Sequence, residues 1–285
     1  MTVDPVVARK TWRTVEPVHG AVYFAQEQEE AYGRLGLVGR EGYFASRAAA
    51  MGPVGPEVVI ATFFNFNPEL VRAAIPAAWQ KASPARVLEA RLEVADRMLR
   101  RMLGDDVVAS PELEEAAGLA RSAAEAAAEH PEGRALFAAH AALPWPDEPH
   151  LRLWHAQTLL REFRGDAHVA LLTSEGVDGC EALVVHAATG EVPAAALLAT
   201  RAWPDADWMA AEERLRDRGW LAIDGTLTAD GKVHRQSIED RTDALSAAPY
   251  DAIGEGGCDR LRSLVRPMSK AIVAAGGVGF RPADS

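Results

Sequence analysis

Ser110-Pro111-Glu112-Leu113-Glu114-Glu115-Ala116-Ala117-Gly118-Leu119-Ala120-Arg121-Ser122-Ala123-Ala124-Glu125-Ala126-Ala127-Ala128-Glu129 decides the fold class. A serine able to cap the first amides precedes a proline whose fixed φ suits the first helical turn, and acidic residues follow where the helix dipole favours them. Alanine and glutamate then continue with high helix propensity until His130-Pro131 stops the run. The same grammar recurs outward in both directions. Asp4-Pro5, Asn67-Pro68-Glu69 and Ser83-Pro84 open helices, and Gly36, Gly52, Gly104 and Gly176 follow helical patterns where a left-handed residue would close them. Helices are expected at about 17–35, 43–51, 56–64, 68–80, 84–103 and 110–129, with a shorter one to 143. After Pro144-Trp145-Pro146 they resume at 150–174, 178–188, 193–202 and 205–218. One segment, 221–233, differs: two glycines and alternating Ile, Leu and Val with Thr predict a β-hairpin. The expected fold class is mainly α.

Composition agrees with a globular chain of 285 residues, 48% of them hydrophobic and 25% charged, and excludes a disordered, collagenous or disulfide-scaffolded protein. No apolar run approaches the roughly 20 residues of a membrane span, and the early Asp4 argues against a signal peptide. The expected compartment is a reducing cytoplasm, with Cys180 and Cys258 as free thiols. Residues 1–150 carry 15 basic and 21 acidic side chains, net −6, and residues 151–285 carry 15 and 20, net −5. Neither half is a basic nucleic-acid module by overall charge.

The proline-rich break places an expected domain boundary between Pro144 and His150. Across it, Gly52 and Gly55 correspond to Gly176 and Gly179 at an offset of 124, as do Glu57-Val58-Val59-Ile60 and Ala78-Trp79 to Glu181-Ala182-Leu183-Val184 and Ala202-Trp203. Chance alignment of alanine-rich helices accounts for this. So does a covalent pseudo-dimer of two related helical units, with a ligand cavity between them.

The stretch Ala211-Glu212-Glu213-Arg214-Leu215-Arg216-Asp217-Arg218-Gly219-Trp220-Leu221, then Leu227-Thr228-Ala229-Asp230-Gly231 and Ile238-Glu239-Asp240-Arg241-Thr242-Asp243, resembles the recognition helix, wing and following helix of MarR-type winged-helix regulators. The chain as a whole also resembles a bacterial helix-turn-helix family, on motifs such as Arg161-Glu162-Phe163-Arg164-Gly165-Asp166. These resemblances imply two tandem winged-helix-like halves: a degenerate one over residues 1–146 and a MarR-like one over 147–285 with a small β-hairpin wing. They imply DNA as a partner, yet the residues depart from the pattern. The wing reads Asp224-Gly225-Thr226 with no arginine between Trp220 and Val233, and the preceding helix sets Asp205, Asp207, Glu212, Glu213 and Asp217 against Arg214, Arg216 and Arg218. Phosphate contacts dominate the affinity of such modules, so DNA binding is expected to be weakened or lost.

Candidate site residues concentrate in 154–168. At 3.6 residues per turn, Arg161, Arg164 and His168 share one face suited to an anionic ligand, while His155, Glu162 and Asp166 share another suited to a divalent metal or acid–base work. An internal ion-pair network accounts for the same residues. Gly165 inside this helix costs roughly 1 kcal/mol relative to alanine and needs a reason. Tyr43, Phe63 and Phe64 could form an apolar ligand wall or simply pack in the core. His19 and His186 read as core histidines. There is no nucleophile elbow, HExxH or CxxC, and Gly276, Gly277 and Gly279 follow a helix and so cannot aim its first amides at phosphate. No catalytic residue is implied, and the cofactor stays open. The expected function is binding of a small organic ligand between the halves, with no membrane partner. The alternatives are a ligand-responsive DNA-binding transcriptional regulator and a metal-dependent enzyme.

Overall fold

Three of the expected caps form. In the computed structural model, which describes residues 2–277, the Asp4 carboxylate accepts from the Val6 amide at 2.7 Å, Asn67 from Glu69 at 2.8 Å and the Ser110 hydroxyl from Leu113 at 3.2 Å. Gly36, Gly52, Gly104 and Gly176 all have positive φ, as their helix-closing positions require. Gly279 lies outside the described residues. The helices are α1 (Pro5–Gly20), α2 (Glu27–Gly33), α3 (Arg40–Ala48), α4 (Pro56–Phe63), α5 (Pro68–Ala74), α6 (Ala77–Lys81), α7 (Pro84–Leu103), α8 (Asp105–Val108), α9 (Pro111–Ala127) and α10 (Ala135–Ala141). They continue with α11 (Pro149–Ser174), α12 (Gly179–Ala187), α13 (Ala194–Arg201), α14 (Asp205–Asp217), α15 (Ala229–Ala247) and α16 (Gly254–Ala274). The mainly α class holds. Pro17, expected to open a helix, lies inside α1 instead, because Asp4 and Pro5 start that helix earlier and its buried Ala8, Thr11, Val15 and Val18 hold it in the bundle.

Two hydrophobic cores form. The larger one gathers α1 to α7, α9 to α11 and α16; there the alanine face of α9 (Ala116, Ala120, Ala123 and Ala127, all fully buried) packs along α11. The smaller one is built by α12, α13 and α14 with Trp220, Leu221, Leu227 and Ile238. Helix α11 joins them. Leu151 to Phe163 belong to the larger core and Leu171 and Leu172 to the smaller, so the expected boundary between Pro144 and His150 falls at the start of this connecting helix.

The expected β-hairpin is not formed as strands. Among the described residues there is no β-strand, and 221–233 contributes a single antiparallel bridge, Leu221 to Leu227. The reason is local. The Thr228 hydroxyl accepts from the Gly231 amide at 3.0 Å and starts α15 at Ala229, so the returning arm ends before a second pair can form. The expected two winged-helix halves are corrected accordingly: the first-half segments α4 to α6 pack into the larger core, and neither half carries a strand-built wing. The two segments that match at the 124-residue offset do place helices in corresponding positions, α4 with α12 and α5 with α13. They meet where the Phe64 carbonyl approaches Gly179 so closely that a Cβ there would sit 2.1 Å away. No described helix is long and apolar enough to cross a membrane. Cys180 and Cys258 are both buried and unbridged.

Candidate functional site

Where helices of the two cores meet, a cavity of about 850 Å³ opens between α1, α3, the α4–α5 turn, α11, α13 and α15. The sequence-predicted Arg161, Arg164, His168, Tyr43 and Phe63 line it, as do Glu162, Gly165 and Asp166. Phe64 lies instead on a smaller neighbouring chamber.

Four guanidiniums set the electrostatics. Arg161 donates to Glu16 at 2.8 Å and to Glu162 at 3.0 Å. Arg47 is different: it donates to the Tyr43 hydroxyl at 3.1 Å, lies 4.1 Å from the Phe63 ring centre, and has its nearest carboxylate oxygen, on Glu162, 4.0 Å away. Arg201 lies 4.5 Å from the Phe66 ring centre, and Arg40 donates to the Thr200 carbonyl at 3.0 Å. The buried Nε atoms of Arg47 and Arg201 have no hydrogen-bond partner. Burial lowers the pKa of Arg201, and repulsion from Arg47, Arg40 and Arg161 adds to this while Tyr43 opposes it. Burial alone would raise the Tyr43 phenol, but Arg47, Arg201 and Arg161 outweigh it and hold the pKa below its usual value. The cavity wall is therefore electropositive in a protein of net charge −11.

Hydrogen-bond polarity fixes two histidines. Thr158 donates to the Trp154 carbonyl at 3.0 Å, so it accepts from His19 Nδ1 at 2.8 Å, and the Tyr23 hydroxyl on the cavity wall donates to His19 Nε2 at 2.9 Å. Thr242 likewise donates to the Ile238 carbonyl at 2.7 Å and accepts from His168 Nδ1 at 3.0 Å, leaving His168 Nε2 as an acceptor. Both rings are neutral; burial pushes each pKa down. The fully buried His19 matches its core expectation.

The remaining predicted residues separate. Arg164 is committed internally, donating to Asp243 at 2.6 Å and Glu239 at 3.0 Å. His155 packs edge-on against Trp145, ring centres 4.8 Å apart, with a pKa lowered by burial and by Arg91 to about 4. It stands two turns, roughly 10 Å, along α11 from Glu162, which faces Arg161 and Arg47. Asp166 accepts from the Phe137 amide at 3.0 Å. The expected metal set His155, Glu162 and Asp166 is thus corrected: among the described residues no group of three His, Cys, Asp or Glu side chains converges on one point. Sequence reading missed Arg40, Arg47, Arg201 and Tyr23. A signal existed for one of them, since Arg201 is the lone charge of the alanine-rich helix α13.

Helix α14, likened to a recognition helix but expected to have weakened DNA binding, uses its arginines within the chain. Arg214 pairs with Asp178 at 2.6 Å and Glu181 at 2.8 Å, Arg216 with Glu212 at 2.7 Å, and Arg218 donates to the carbonyls of Gly176 and Glu175 at 3.0 and 2.8 Å. Its open face presents Asp205, Met209, Glu213 and Asp217.

Neither curated proteins nor solved structures give a match to this chain. A family model does, over residues 8–279, and on that match the chain belongs to the helix-turn-helix family.

Proposed function

We propose that this helix-turn-helix family member binds a small organic anion in the cavity between its two cores and that DNA contact through α14 is weakened or lost. The observation that carries the reading is Arg201, a half-buried guanidinium on the cavity wall that forms no ion pair and no hydrogen bond among the described residues, beside Arg47 and Arg161 on the same wall. Buried donors are ordinarily satisfied, and an arginine fork suits a carboxylate or phosphate oxygen. Arg161 supplies a third cation, His168 an acceptor for a hydroxyl, and Tyr43 and Phe63 the apolar wall. Arg164 supports the wall through its ion pairs. The order α12, α13, α14, bridge and α15 supports descent from a winged helix of MarR type whose wing has shrunk to one bridge.

The test is calorimetric titration with benzoate and with inorganic phosphate, on the wild type and on Arg201→Met. Removing one charge-assisted donor should weaken binding of the accepted anion by about 10- to 100-fold. Equal affinity in the variant, or no binding of any small anion to the wild type, sinks the reading. Family membership favours a second reading, a ligand-responsive regulator that grips DNA. Retention on nonspecific duplex DNA at low salt, lost as salt rises, would support it; the acidic open face of α14 predicts no retention.

A further inference from the structure

The cavity has an annex. A chamber of about 200 Å³ lies beside it, and the two share Phe63, Asn65, His168, Val169, His186 and Arg235 as walls. Every polar residue of the chamber, Glu239 included, belongs to that shared boundary; its remaining walls, among them Phe64, Leu172, Leu183, Trp220 and Ile238, are apolar or aromatic. A largely apolar recess of this size opening beside a cationic cavity has the room and the lining to take an apolar group.

The boundary is also strained. Phe64 has φ 54 and ψ −54, and the Asn65 amide donates to the Phe63 carbonyl at 2.6 Å, a γ-turn of the hand disfavoured for residues with a side chain. The turn holds Phe63 on both walls and Phe64 on the chamber alone. Its carbonyl seats on Gly179, and the Trp203 indole donates to the Asn65 carbonyl at 2.9 Å, so packing between the two cores keeps it in place.

We infer that the anion taken by this cavity is amphipathic, an organic carboxylate whose charged end rests among Arg47, Arg161 and Arg201 and whose apolar part passes the Phe63–Phe64–Asn65 turn into the annex. This rests on the anion-binding reading and adds a second requirement, that affinity grows with the apolar tail. A purely polar anion such as phosphate leaves the annex empty. A neutral amphiphile leaves the guanidiniums unpaired.

The experiment titrates the full chain with straight-chain carboxylates from butanoate to dodecanoate and with the matching alcohols. Affinity should rise about three- to fourfold for each methylene that enters the annex and then level off. The alcohols should bind at least about tenfold more weakly than the carboxylates of equal length. Ala182→Phe, which places a ring on the annex wall, should abolish the length dependence and leave butanoate affinity unchanged; Leu183→Trp is the second filling variant. Should both variants fail to fold by circular dichroism, Trp220→Phe provides the readout: the part of the emission change that decanoate causes and butanoate does not should disappear in it. Affinity independent of tail length, length dependence that survives both filling variants, or a decanoate-specific signal, beyond that of butanoate, that survives Trp220→Phe overturns the annex while leaving anion binding intact. Failure of every carboxylate and of benzoate and phosphate overturns both.

Discussion

The arginines of α14 and those of the inter-core cavity are built from the same side chain and face opposite fates. On α14, Arg214 and Arg216 meet carboxylates and Arg218 meets two carbonyls, so each positive charge is answered within the chain. In the cavity, the Arg201 side chain meets no carboxylate or carbonyl among the described residues and has Arg47, Arg40 and Arg161 as neighbours. A charge matched inside the chain has little left to offer a partner, whereas one buried without a match raises the free energy of the empty protein and lowers it when an anion arrives. The comparison separates arginines whose charge is answered within the chain from one whose charge is not.

The largest effect should come from breaking a matched pair. Arg164 is buried against Asp243 and Glu239, so Arg164→Met leaves these carboxylates only the half-exposed Arg9, at 3.3 and 3.9 Å, and should cost about 3 kcal/mol in urea unfolding. Arg201→Met removes a cation that burial and three guanidinium neighbours already disfavour; its stability should stay within about 1 kcal/mol of wild type, or rise. Similar losses for the two variants would erase the distinction between structural and ligand-facing arginines.

That distinction was only partly legible in the sequence. Caps, stops and alanine runs are local signals, which is why the starts at Pro68, Pro84 and Pro111 and the closing glycines could be read from neighbouring residues. The face carrying Arg161 and His168 was legible too, because helical periodicity is local. What brings Arg47 and Arg201 to the same cavity is packing of α3 and α13 from segments 154 positions apart, and periodicity carries no information at that range. The metal set was misread for a related reason. A shared helical face aligns side chains two turns apart, but it does not bring them together, and His155 is held away by Trp145.

Within the cavity the acids divide as the arginines do. Glu162 faces Arg161 and Arg47, whereas burial, helped by Glu162 and opposed by the Phe137 amide, pushes the Asp166 pKa up to about 6. The folded protein therefore holds a proton on Asp166 between roughly pH 4 and 6 that the unfolded chain has released. Such a group favours folding at low pH, and its contribution is lost as pH rises through 6. His155 works oppositely: with its pKa lowered to about 4, its contribution is present above pH 6.5 and is lost as pH falls. Asp166→Asn isolates the first effect. On going from pH 7.5 to 4.5 the wild type should gain on the order of 2 kcal/mol relative to this variant, measured as the difference between their urea unfolding free energies. A pH-independent difference would place Asp166 among the ordinary solvated carboxylates.

The smallest effect concerns the two glycines that mark the cavity and the core junction. At Gly179 an added Cβ would strike the Phe64 carbonyl at 2.1 Å, so glycine is sterically required there. At Gly165 it would find only Glu162 Oε2 at 3.5 Å, an ordinary contact, and φ is unremarkable for a helix. Nothing in the folded chain demands glycine at 165, yet glycine in a helix interior is unfavourable by about 0.5–1 kcal/mol relative to alanine. Gly165→Ala should therefore stabilise the protein by that amount in urea unfolding. Since Gly165 lines the cavity wall next to Glu162, the added methyl should also weaken benzoate binding. Stability gained together with affinity lost would assign this glycine to the ligand proposed for the cavity; stability gained with affinity unchanged would leave it a position at which alanine serves equally well.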